Sequence, residues 1–157
     1  MEQKKFKVVI GSDHGGFMLK EGLKPFLKKL GYSVEDVGTH SEESCDYPDY
    51  AFKVAAVVGR VSDIGAFPKV AGILLCRSAA GMVIAANKVK GVRAVSAFDE
   101  LSASHSREHN AANILALSGD WTSVDAAKGI VKVWLETPYS NEERHTRRLR
   151  KIVDIEK

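Results

Sequence analysis

Short β-rich runs alternate with amphipathic helical runs along nearly the whole chain, and no other feature of the sequence limits its fold so tightly. Residues 7–10 (KVVI) form the first strand-like run and end in the loop signal GSDHGG. Apolar residues at helical spacing follow (Phe17, Leu19, Leu23, Phe26, Leu27 and Leu30), with Gly31 where a helix C-cap belongs. Residues 33–37 read as a second strand. The polar loop GTHSEESCDYPDY comes next, and Pro48 suits the first turn of a helix that runs to about Gly59. Residues 61–71 read as a connector. Residues 72–76 are a continuous apolar run, the mark of a strand buried on both faces. Helix 81–89, strand 92–97, helix 100–109 capped by Asp99, strand 114–117, helix 124–135 and a last helix at 141–155 complete the pattern. Such alternation predicts an α/β fold: a three-layer, doubly wound, Rossmann-like parallel sheet of five strands, with a C-terminal helix.

A chain of 157 residues with no repeat, low-complexity tract or linker fits a single domain spanning 1–157. At 45% hydrophobic and 27% charged it has the composition of an ordinary globular protein. No apolar run approaches a membrane span, and the start MEQKKFKVVIGSDHGG has too short an apolar segment for a secretory signal. The expected location is the cytoplasm, where the two cysteines remain thiols. A net charge of +3 gives no case for nucleic acid. The basic run RHTRRLRK at 144–151 reads either as a solvated helix face or as an anion site.

In doubly wound folds ligands gather at the carboxyl edge of the sheet. The loops SDHGG, CRSAAG and the stretch containing CDYPDY all fall there. Taken alone, Cys76 reads equally as a buried small hydrophobe or as a reactive thiol. A thiolate facing helix amides is stabilised by their partial positive charge and can act as nucleophile or general base. Ser78, Ala79, Ala80 and Gly81 are small enough for their amides to cradle an anion. The loop lacks the Gly-Lys-Ser/Thr ending of a Walker motif. Met82 stands where a Cys-x5-Arg phosphatase loop requires arginine. Asp13 and His14, beside two glycines in a ligand-edge turn, are better read as binding residues than as surface ones. For His109 and Asn110 the residues alone do not choose between helix capping and function. His105 and His109 have ligand spacing, but HExxH is absent and no acid or thiol pairs with them, so no metal site is expected. The absence of CxxC likewise argues against a redox role for Cys76.

The segments GSDHGGFMLK, GTHSEESCDYPDYA, CRSAAGMVIAANKVKGVRA, SREHNAANILAL and RHTRRL occur in the order of one known family. From about residue 7 to residue 150 the chain resembles ribose-5-phosphate isomerase type B, which shares its fold with bacterial galactose-6-phosphate isomerase subunits. The resemblance implies an aldose–ketose isomerase of ribose 5-phosphate and ribulose 5-phosphate that needs no metal or cofactor and works through an enediolate. On the matching positions it implies Cys76 as the proton-shuttling base, assisted by Ser78, with the amides from about Ser78 to Gly81 on the enediolate oxygens. His109 would open the sugar ring, with Asn110 beside it. Asp13, His14 and Tyr47 would contact substrate, and Arg144 and Arg148 would hold its phosphate. The implied partner is a second copy of the chain, in a homodimer with active sites shared between subunits; whether dimers pair into tetramers stays open. No nucleic acid or membrane partner is implied.

Two departures matter. The family's loop is Cys-Gly-Thr/Ser-Gly-x-Gly, whereas this chain has Arg77 and Ala79 at the first two glycine positions. A positive φ at either would strain it by about 1 kcal/mol. Arg77 also adds a cation that could bind an anion. Asp120 stands where the family commonly carries a phosphate-reaching arginine, and the connector 61–71 is longer than expected. These changes motivate a second reading, isomerisation of another sugar phosphate such as a hexose 6-phosphate or an unusual pentose phosphate. A third reading, a sugar-phosphate-binding protein without catalysis, is opposed by the joint presence of Cys76, Ser78 and His109.

Overall fold

Apolar residues on alternating sides of five short strands assign the layers of the molecule. The computed structural model describes residues 5–157; residues 1–4 of the domain expected over 1–157, and of the start weighed as a secretory signal, lie outside the described residues. The strands are β1 (Lys7–Ser12), β2 (Ser33–Asp36), β3 (Val70–Cys76), β4 (Ala94–Ser96) and β5 (Ile114–Ser118). All pair in parallel, in the order β2-β1-β3-β5-β4. The helices are α1 (Phe17–Lys29), α2 (Tyr47–Arg60), α3 (Ala80–Ala86), α4 (Glu100–Asn110), α5 (Val124–Glu136) and α6 (Glu143–Ile155).

Side chains of a strand point alternately to its two faces. Val8, Ile10, Ile73, Leu75, Leu115 and Leu117 therefore share one face, under Leu23 and Leu27 of α1, Ala103 of α4 and Ile130 and Trp134 of α5. Val9, Leu74, Cys76, Ile114 and Ala116 face the other way, against α2 and α3. This is the doubly wound parallel sheet that the alternation predicts. The last helix, α6, lies outside both layers and packs on α4, with Leu149 and Tyr139 closing over Ala111.

Several boundaries differ from expectation. β3 begins at Val70, inside the expected connector, because Val70 and Ala71 pair with Lys7 and Val8. α3 stops at Ala86 and not at Val89. Asn87 turns its amide side chain onto β4, accepting from the Ala94 N–H at 2.8 Å and donating to the Ala94 carbonyl at 2.9 Å, which ends the helix. β4 is correspondingly short, three residues against the six expected. Asp99 caps α4 as expected, accepting the Ser102 amide at 2.7 Å, while the Ser102 hydroxyl accepts from the Asp99 amide.

Candidate active site

The order β2-β1-β3 places the ends of β1 and β3 side by side where the chain's winding reverses direction, the usual place for a ligand crevice in such sheets. Three loops are stitched together there. The Asp13 amide donates to the Leu75 carbonyl at 3.2 Å, tying the loop after β1 to the end of β3. The Gly119 amide donates to the Cys76 carbonyl at 2.8 Å and the Asp120 amide to the Arg77 carbonyl at 3.2 Å. The Ser118 hydroxyl also donates to the Arg77 carbonyl. A Cβ at Gly119 would collide with the Gly15 carbonyl, so only glycine lets the loops after β1 and β5 meet this closely.

Between these loops and the start of α2 lies a hollow of about 200 Å³, lined by Asp13, His14, Tyr47, Cys76, Arg77, Ser78 and Gly81. Cys76 is 5% exposed at the end of β3, on the α2–α3 face. The Tyr47 ring lies flat over Gly81: a Cβ there would sit 2.7 Å from the ring. Asp13 is buried, and its carboxylate accepts the Gly16 amide at 3.1 Å, which fixes the turn. Nδ1 of His14 accepts the Cys45 amide at 3.2 Å, so the ring carries its proton on Nε2. Ala79 adopts φ +69° at the mouth of α3, the left-handed conformation that the family's glycine would take without strain. Arg77 does not have a positive φ.

His109, Asn110, Arg144 and Arg148 do not reach this hollow within the chain. α4 runs back from the carboxyl edge after β4 to the amino edge before β5, so His109 in its last turn lies at the opposite end of the sheet from Cys76. A seven-residue strand separates the two edges by roughly 20 Å. At that far edge the His109 ring stacks on His145 of α6, with centroids 4.6 Å apart and planes 13° apart. Asn110 borders a neighbouring hollow with Asn87, Arg93 and Leu149. Burial, then the charges of Arg144 and His109, hold the His145 imidazole below its usual pKa. Arg144 and Arg148 stand one turn apart on α6; Nε of Arg144 donates to Glu142 at 2.8 Å.

A larger cavity, about 630 Å³, opens between the ends of α2 and α6 and is lined by Arg60, Lys90, Arg93 and Glu156. Two of its polar groups, Glu156 and Arg93, are already engaged. Glu156 accepts the Gly91 amide, and Arg93 donates to the Ala111 and Asp63 carbonyls and the Ser62 hydroxyl. The thiol, imidazole, carboxyl and hydroxyl groups expected to carry chemistry line the smaller hollow. No group of three His, Cys, Asp or Glu among the described residues could hold a metal ion, and no helix among them is long and apolar enough to cross a membrane.

The family model described as Ribose/Galactose Isomerase matches residues 8–152. The chain belongs to that family. It is similar to ribose-5-phosphate isomerase B of Escherichia coli, at 42% identity over 96% of each chain. Among solved structures it is similar to ribose-5-phosphate isomerase B of Clostridium thermocellum, at 46% identity over 96% of this chain and 97% of that one, with a TM-score of 0.87. The Mycoplasma genitalium ribose-5-phosphate isomerase B, solved with bound ribulose-5-phosphate, gives a TM-score of 0.91 at 37% identity over 98% of both chains. Family membership makes the chain an enzyme, an aldose–ketose isomerase of the Rossmann-like type.

Sequence reasoning missed three relationships. Cys45, remote from His14 in the chain, comes to rest against it. Arg77 and Asp120 form an ion pair at 3.4 Å. His145 lies under His109. In each, partners distant in sequence are joined by the fold, and no local spacing signals them.

Proposed function

We propose that the chain interconverts ribose 5-phosphate and ribulose 5-phosphate in the Cys76 hollow, as a single isomerase domain that uses no metal or cofactor. The observation that carries this reading is the placement of a buried thiol at the carboxyl end of β3, beside Asp13, His14, Tyr47 and Ser78. The same fold holds ribulose-5-phosphate in the Mycoplasma genitalium relative.

In the open-chain aldose the Cys76 thiolate takes the proton from C2, and the electron pair moves into a C1–C2 enediolate. Returning that proton to C1 gives the ketose, while a hydroxyl proton passes from O2 to O1. The Ser78 hydroxyl and the amides from about Ser78 to Gly81 hold the two oxygens as charge develops. Asp13, His14 and Tyr47 orient the sugar hydroxyls. His109 opens the furanose by moving a proton between the ring oxygen and the anomeric hydroxyl, with Asn110 beside it. Arg144 and Arg148 present two cations on one helix face to the phosphate. These last four residues lie at the far edge of the sheet, so they complete the Cys76 hollow of a second copy in a homodimer. The working location is the cytoplasm.

The test is conversion of ribose 5-phosphate to ribulose 5-phosphate by wild type and Cys76→Ala. The expected loss in the variant is about a thousandfold in kcat, and an unchanged rate refutes the assignment of Cys76. One observation favours a second reading, isomerisation of another sugar phosphate: the Arg77–Asp120 pair at the mouth of the hollow. Turnover of a hexose 6-phosphate in place of ribose 5-phosphate would decide for it.

A further inference from the structure

The His109 imidazole is held between two other histidines. His105, one turn earlier on α4, lies 4.9 Å away at 32°, and His145 of α6 lies 4.6 Å away at 13°. The second contact is the flatter, and its partner is the better anchored. His145 is only 8% exposed, in the first turn of a helix whose Leu149 is buried against Ala111 and Tyr139. Its buried Nε2 has no hydrogen-bond partner among the described residues, and the nearest carboxylate oxygen, of Glu142, is 3.9 Å away, beyond bonding range. An unsatisfied buried ring nitrogen calls for an explanation, and the contact His145 does make is its flat face on His109. The groups facing the stack are His105 and Glu108 from α4, and Glu142, Arg144 and Arg148 from α6 and its cap.

We propose that His145 is a positioning residue for His109, fixing the plane of the His109 imidazole by a flat stack so that its edge meets the substrate's ring oxygen. The inference rests on the ring-opening role assigned to His109 above. It makes α6 a supplier of geometry as well as of phosphate-binding arginines, coupling ring opening to the docking of that helix. Burial and the neighbouring cations disfavour the His145 imidazolium, so two like charges are not forced face to face.

Two substrates separate positioning from general damage. Ribose 5-phosphate is mostly a closed ring and needs opening, whereas ribulose 5-phosphate is acyclic and exchanges its C1 proton with solvent through the Cys76 step alone. Turnover of the first and deuterium uptake into the second are measured by NMR for wild type, His109→Asn, His145→Ala and His145→Phe. For His145→Ala the expected result is a loss of ribose 5-phosphate turnover of about tenfold to a hundredfold, with deuterium uptake within about twofold of wild type. His109→Asn shows the same split, and His145→Phe, which keeps a flat ring, recovers most of the turnover. Ribose turnover unchanged in His145→Ala but lost in His109→Asn overturns the positioning role. So does an equal loss in both assays, and so does a Phe variant as poor as the Ala variant. Unchanged turnover in His109→Asn overturns the ring-opening assignment itself, and this inference with it.

Discussion

The Arg77 guanidinium lies 3.4 Å from the Asp120 carboxylate, spanning the loops after β3 and β5 at the rim of the Cys76 hollow. Both side chains are well exposed, so the pair adds little to stability. Its effect is on charge. Asp120 neutralises a cation that would otherwise face an anionic substrate. Asp120→Asn is expected to lower KM for ribose 5-phosphate by about threefold at low salt, and by less at physiological ionic strength. Steady-state kinetics at two salt concentrations check this; a KM that rises means Asp120 itself serves the substrate.

Gly81 carries the Tyr47 ring on its bare Cα. Gly81→Ala would place a methyl 2.7 Å from that ring and push it out of the hollow. The expected outcome is a KM raised by roughly tenfold with the melting temperature nearly unchanged, since Tyr47 is 39% exposed and free to move. A thermal melt beside the kinetics separates the two effects.

Asp36 ends β2 beneath the polar loop. Burial alone would raise its pKa, but hydrogen bonds from Lys20 at 2.6 Å, Lys24 at 2.8 Å and the Gly38 amide at 2.9 Å outweigh that and bring it down from 3.8 to about 2. A carboxylate with a depressed folded pKa stabilises the fold above its unfolded pKa and loses that contribution as pH falls through the folded value. Asp36→Asn should therefore cost roughly 2 kcal/mol or more at pH 7, because it also strips a buried Lys20 of its main partner. The gap between variant and wild type should narrow from pH 4 to pH 2, as chemical denaturation across that range will show.

Asp99 satisfies the first turn of α4 through its capping box with Ser102. Asp99→Ala should lower stability by about 1 kcal/mol. Because His109 stands in the last turn of α4, a fall in ribose 5-phosphate turnover beyond that expected from unfolding would show that the cap also sets the helix's position.

The three central strands, β1, β3 and β5, were legible because they are buried on both faces, and burial writes continuous apolar runs such as residues 72–76 into the sequence. Asp99, Gly31 and Pro48 marked their helix boundaries for equally local reasons. The end of α3 was not legible, because Asn87 terminates it by bonding to Ala94 seven residues on. The thiol and its small-residue loop stood out through their own chemistry. The stacking of His145 on His109, the approach of Cys45 to His14 and the pairing of Arg77 with Asp120 depend on which loops the sheet order brings together. Residue types alone do not encode that order.

Cys76 and His109 stand at opposite edges of one sheet, with the length of a strand between them. On the shared-site reading, folding is necessary but not sufficient for catalysis: a lone, perfectly folded copy holds two half-complete centres. Specific activity should then fade on dilution while the circular dichroism spectrum stays constant. Two inactive chains, one lacking Cys76 and the other lacking His109, should regain turnover when unfolded and refolded together, since a mixed pair contains one centre with both groups intact.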